Sequence, residues 1–290
     1  MQTLTNGVLT VEINEVGAEL WSIRKGETEY LWHGEPEYWN RRSPVLFPIV
    51  GSVWEARYRV DGKEYTMGQH GFARDMEFEV VAKTGDSIRF RLESSEETLK
   101  AYPYPFTLEI GYRLEGSGIE VSWEVGNPAD KDMHFQIGAH PAFLYPDYGK
   151  LEKGRGYFTF DRSEGLECVG LAGKGCADAT KRYPLPLSDG RLKLNSDTFD
   201  DIDTFVLQDS QVKKVAMFCE DGTPWLSVTF DAPVLGLWSP PGKNAPFVCI
   251  EPWFGRCDRA GFEGEFKDRD WMNSLASGER FNASYRIEIA

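Results

Sequence analysis

The sequence predicts an all-β fold, a large antiparallel sandwich or barrel with few short helices, on three observations. Apolar residues recur at every second position in segment after segment, helical periodicity is scarce, and the composition is aromatic, with 9 Trp, 12 Tyr and 18 Phe beside 29 Gly and 16 Pro. Strand-like alternation opens at residues 8–13 and returns at 78–82 and 88–92. Residues 95–100 are the one stretch that reads as a helical turn. Phe106, Leu108, Ile110, Tyr112 and Leu114 then share one face of a strand, and Ile119, Val121, Trp123 and Val125 share one face of the next. The short polar step Glu115-Gly116-Ser117-Gly118 between them makes the pair a hairpin. After it, residues 145–201 are glycine-rich and irregular, and read as a long excursion on the sandwich. Strands resume at 215–219, 226–230, 247–250 and 285–289, so no domain boundary is placed there, and residues 1–290 are expected to form one domain.

Charge narrows the partners. With 32 Lys+Arg against 46 Asp+Glu, the net charge of −14 disfavours nucleic acid and anionic membrane surfaces. The longest apolar run, Pro44 to Val50, is far short of the roughly 20 residues of a spanning helix. The first seven residues carry neither a basic region nor an apolar stretch, so no secretory signal is expected. Five scattered cysteines without a C-x-x-C pair point to reduced thiols in a cytoplasmic protein.

Candidate chemistry is confined to few residue types. The chain lacks a G-x-S-x-G elbow, an H-E-x-x-H pair, a Walker loop and a G-x-G-x-x-G turn. No cofactor or metal is therefore expected. Only four histidines occur, and two of them, His70 and His140, lie in segments rich in small residues, Gly68–Arg74 and Ile137–Phe143. Pro141 biases His140 toward extended backbone. Among the carboxylates Glu251 stands out, at the end of an apolar strand and before Pro252-Trp253-Phe254. Two readings are open for it: a pocket carboxylate whose pKa is raised, or a salt-bridge partner of Arg256 or Arg259.

Six segments, in order, carry a resemblance. They are Gly17-Ala18-Glu19-Leu20, Glu29-Tyr30-Leu31-Trp32, Arg42-Ser43-Pro44-Val45-Leu46-Phe47-Pro48, Gln69-His70-Gly71-Phe72-Ala73-Arg74, Gly138-Ala139-His140-Pro141-Ala142-Phe143 and Cys249-Ile250-Glu251-Pro252-Trp253. Together they resemble the aldose 1-epimerase (galactose mutarotase) family, most closely its bacterial LacX-type branch. The resemblance implies a mutarotase-type β-sandwich, or supersandwich, with a sugar-binding cleft and no cofactor. It implies a monosaccharide substrate, His140 as general acid and Glu251 as general base, with Arg42, His70 and Asp203 holding the sugar. Arg41 competes with Arg42, and Asp200 and Asp201 with Asp203. A monomer or homodimer is expected. Three rival readings remain. A hexose-6-phosphate mutarotase would use arginines from among Arg41, Arg74, Arg256 and Arg259. A non-catalytic sugar-binding protein would need no acid–base pair. A glycosidase would need two carboxylates about 5–9.5 Å apart.

Overall fold

The computed structural model describes residues 1–150 and 154–290. Two large antiparallel sheets dominate it. The first has nine strands, in the order Arg191–Asn195, Gly154–Phe160, Lys214–Phe218, Pro224–Phe230, Arg280–Ile289, Gly118–Gly126, Thr107–Glu115, Ser87–Glu93 and Glu79–Lys83. The expected hairpin lies inside it. Ile110 pairs with Trp123 and Tyr112 with Val121, so the apolar alternation of both strands falls on the same, buried face. Its loop is only Gly116-Ser117, with Gly116 at φ 59° in the position where such tight loops favour glycine. The helical turn is also present, as Glu96–Ala101 behind a reciprocal Ser95–Thr98 cap.

The second sheet runs Cys176–Pro184, Glu167–Ala172, Thr204–Leu207, Val234–Trp238, Phe247–Phe254, Ile137–Ala139 and Val45–Leu46, with Ala142–Leu144 also on Phe247–Phe254. The stretch at 145–201 is thus no excursion: four of its segments are strands, two in each large sheet, while residues 151–153 lie outside the described residues. Alternation fails to reveal these strands because glycines and a shift of register at Val169/Gly170 break the period.

Side-chain parity on the second sheet positions the site. Phe205, Leu207, Leu235, Leu237, Val248 and Ile250 point into the main core, which also takes Val215, Met217, Leu226, Val228 and Ile287 from the nine-stranded sheet. The alternate residues, Val206, Val234, Phe247, Cys249 and Trp253, face the other way into two smaller apolar clusters. Buried on both faces, strand Phe247–Phe254 reads as a continuous apolar run rather than an alternation. No helix among the described residues is long and apolar enough to cross a membrane.

Candidate active site

A cavity of about 270 Å³ opens on the outer face of the second sheet, over Thr204, Val206, Trp238, Glu251 and Trp253. Glu251 does not end its strand: it lies inside Phe247–Phe254 and is wholly buried. Pro252 is tolerated there because the ladder is interrupted on one side. Residues 247–249 pair with Ala142–Leu144, and Trp253 and Phe254 pair with Gly138 and Ile137. At this break the chain crosses through His140-Pro141, which directs the imidazole at the carboxylate. His140 Nε2 stands 3.3 Å from Glu251 Oε2. Trp253 lies flat between Gly138 and Gly236, where an added Cβ would come within 2.6 Å and 2.5 Å of its indole.

Aromatic rings frame the imidazole. Trp39 overlies His140 at 4.7 Å between ring centres, while Trp238 and His70 present edges at 5.5 Å and 5.4 Å. His70 is fixed from behind. Its Nδ1 accepts the Gly51 N–H at 3.0 Å, and the His70 backbone N–H donates to the Gly51 carbonyl at 2.8 Å. Nδ1 therefore holds the lone pair, and Nε2 carries the proton as a donor. His70 sits at φ 64° and Asp203 at the same angle, a left-handed conformation uncommon outside glycine, though His and Asp enter it more readily than most residues. Gly71 lets the turn close, since a Cβ there would lie 2.2 Å from the Phe47 carbonyl oxygen. Asp203 lines the cavity and accepts the Trp238 indole N–H at 2.8 Å.

Burial and neighbouring charge shift the pair in opposite directions. Burial holds the Glu251 carboxyl well above its usual range; the nearby Trp253 indole opposes this without a well-formed hydrogen bond, and both carboxyl oxygens lack one. Burial, reinforced by the Arg74 guanidinium, lowers His140 to about 3. Together the two directions favour the proton on Glu251 and a neutral His140; passing that proton to the imidazole gives the carboxylate–imidazolium form with the same net charge. His70 is likewise held well below 6.5, by burial first and then by His140, Arg74 and Arg41.

The His70 shift carries a stability prediction. Its folded pKa is depressed, so the unfolded chain takes up a proton at pH values where the folded protein does not. Stability from this group is complete above about 6.5 and drains away as pH falls below it. Urea denaturation of the wild type should therefore lose stability between pH 7 and 5 more steeply than that of His70→Gln. Equal slopes would contradict a His70 imidazole that burial and the neighbouring cations hold neutral.

The structure brings His70, His140, Asp203 and Glu251 to one cavity. Arg42 lies elsewhere: its guanidinium covers the Trp21 ring at 4.0 Å and donates to the Trp21 carbonyl. The adjacent Arg41 pairs with Asp75 at 2.8 Å. The arginine that lines the cavity is Arg74, from the 3-10 turn that follows His70; its Nε is buried without a hydrogen bond, 3.8 Å from the Asp75 carboxylate, and its Nη2 donates to the Gln69 carbonyl at 2.7 Å. Sequence reasoning weighs Arg74 only as one of four arginines for a phosphate and not among the sugar-holding residues, because its position after a Gly-Phe-Ala step gives no sign of which way the turn faces. Asp200 is spent on the Gly242 N–H. The salt-bridge reading of Glu251 does not hold, since Arg256 and Arg259 both pair with Asp270.

Comparison with known proteins gives consistent matches. A family model described as aldose 1-epimerase matches residues 1–288. The chromosomal LacX protein of Lactococcus lactis subsp. lactis is 35% identical, over 99% of this chain and 98% of its own. A solved galactose mutarotase related enzyme from Lactobacillus acidophilus superposes with TM-score 0.93 at 34% identity, covering 100% of this chain and 97% of its own. A galactose mutarotase-like protein from Lactobacillus casei gives TM-score 0.94 at 31% identity, with both chains covered completely.

Proposed function

Because this chain belongs to the aldose 1-epimerase family and has its galactose mutarotase-like β-sandwich, we propose that it interconverts the α and β anomers of a hexose. The observation that carries this reading is the buried, 3.3 Å contact of His140 with Glu251 at the floor of a cavity. Anomer exchange needs a base for the C1 hydroxyl and an acid for the ring oxygen, atoms that are neighbours on the sugar. Glu251 as carboxylate takes the O1 proton while the His140 imidazolium protonates the ring oxygen. The C1–O5 bond breaks, leaving the open-chain aldehyde. The proton has then moved from His140 to Glu251 by way of the sugar. Rotation about C1–C2 and closure on the opposite face run the same transfers backwards and restore the pair.

Both protonation patterns of the pair carry the same net charge, so the buried site never gains or loses charge during turnover. His70, through Nε2–H, and Asp203 are proposed to orient the sugar. At about 270 Å³ the cavity is smaller than the roughly 300–1,000 Å³ of drug-sized sites, which favours one ring over an oligosaccharide. Polarimetry on freshly dissolved α-glucose and α-galactose tests the activity. A rate no faster than the spontaneous one for every hexose tried would leave only a sugar-binding role, which calorimetry would then detect.

Arg74 favours one second reading, a phosphorylated hexose. It is the only member of the four arginines considered for phosphate that lines the cavity, and Arg41 adds to its burial in lowering its pKa to about 10. Arg74→Gln should raise KM by about 10-fold or more for an anionic sugar, the loss expected for a charge-assisted contact. For a neutral hexose the change should be smaller. Comparing glucose with glucose 6-phosphate on both proteins separates the readings.

A further inference from the structure

Cys249 has no part in the acid–base scheme, yet it lies against it. Two positions from Glu251 on the same strand, it leaves the sheet on the same face. One ligand atom each from His140, Cys249 and Glu251 lies within 4.8 Å of the others, and all three residues are buried. Both oxygens of the wholly buried Glu251 are without a hydrogen-bond partner. We propose that His140, Cys249 and Glu251 form a three-ligand site for a thiophilic divalent cation such as Zn²⁺, whose binding shuts down the acid–base pair. The inhibitory consequence rests on the function proposed above; the metal site itself does not.

Geometry and charge both fit. Tetrahedral Zn²⁺ with N and O bonds of about 2.0–2.1 Å sets those ligand atoms about 3.3–3.4 Å apart. His140 Nε2 and Glu251 Oε2 are already at 3.3 Å. A bond of about 2.3 Å to sulfur asks the thiol to close by on the order of 1 Å. Binding releases the thiol proton and the proton shared by the pair. Zn²⁺ is then matched by one thiolate and one carboxylate, with neutral imidazole as third ligand, so the buried site is neutral before and after. Three protein ligands leave a fourth position for water or a sugar hydroxyl. Mixed S, N and O donors select Zn²⁺ over Mg²⁺ or Ca²⁺.

The test uses the full chain. Calorimetric titration with Zn²⁺ should give one ion per chain. Co²⁺ as a spectroscopic probe should show a thiolate-to-cobalt band in the near ultraviolet and the visible bands of four-coordinate cobalt. Cys249→Ala should weaken Zn²⁺ at least about 100-fold, as loss of the soft ligand predicts, and abolish the thiolate band. Cys249→Ser provides a second variant should the smaller residue disturb packing. Cys257→Ala, at the cysteine that lines the cavity but lies outside the three-residue cluster, should change neither. Zn²⁺ should stop mutarotation by the wild type and spare Cys249→Ala. Absence of the thiolate band, or equal Zn²⁺ affinity in Cys249→Ala, overturns the site. Binding through Cys249 with mutarotation undiminished supports the site and removes His140 and Glu251 from the reaction.

Discussion

If the chain catalyses the proposed anomer exchange, Glu251→Gln and His140→Asn should each slow it by about 10²–10⁴-fold, roughly 3–5 kcal/mol of barrier, while sugar binding largely persists. Glu251→Gln keeps the size and polarity of its side chain and His140→Asn keeps a polar group in place of the ring; both remove the ability to exchange a proton. The two losses should not add. One proton travels between both groups, so the double variant should be little worse than either single one. A stability measurement separates chemistry from damage. The Glu251 carboxyl is held well above its usual pKa, so its contribution to folding is complete at low pH and is lost as pH rises from about 4.5. Glu251→Gln escapes that loss and should gain on the wild type in urea as pH increases. Inactive and more stable at pH 8 is the expected result; near-wild-type turnover would remove Glu251 from the mechanism.

What the sequence made legible follows from which physical signals are local. The hairpin over Thr107–Glu115 and Gly118–Gly126 was readable because one face is core and its loop is two residues long. The strands inside 145–201 were not, since bulges and glycines erase a period of two. Glu251 could be singled out by its apolar setting. Its burial inside the strand could not, because it depends on a gap in the neighbouring ladder at His140-Pro141. That neither Arg42 nor the competing Arg41 reaches the cavity, while Arg74 does, was beyond sequence for a similar reason: Arg42 turns to the face of Trp21, a contact set by a strand residue 21 positions earlier, and Arg41 turns to Asp75. Alternation tells which side of a strand a residue takes, but not what stands there.

Beneath the cavity a second buried pair supports His70, and breaking it should have the largest effect on stability. Arg269 donates through Nε to Asp258 and through Nη1 to Gln136, with both members of the ion pair at most 4% exposed. Asp258 also accepts the Trp54 N–H at 2.8 Å, and its own N–H donates to the Ser52 carbonyl at 2.9 Å. These bonds anchor the segment that includes Gly51, the donor to His70 Nδ1. Arg269→Met leaves a buried carboxylate without its cation and should cost about 3–5 kcal/mol, a large share of the roughly 5–15 kcal/mol that holds a typical domain folded. Arg269→Met/Asp258→Asn removes both charges yet keeps an oxygen for Trp54, and should recover more than half of that loss. Urea denaturation of the two variants decides the matter. If the single variant loses less than about 1 kcal/mol, the size of an exposed pair, the carboxylate is reached by water and His70 is held by other means. If the double variant is no better than the single, the cost lies in the lost Arg269 packing and its Gln136 bond rather than in the stranded charge. In the expected case KM for the sugar should rise in the single variant with kcat less affected, because the loosened part is the His70 donor and not the His140–Glu251 pair.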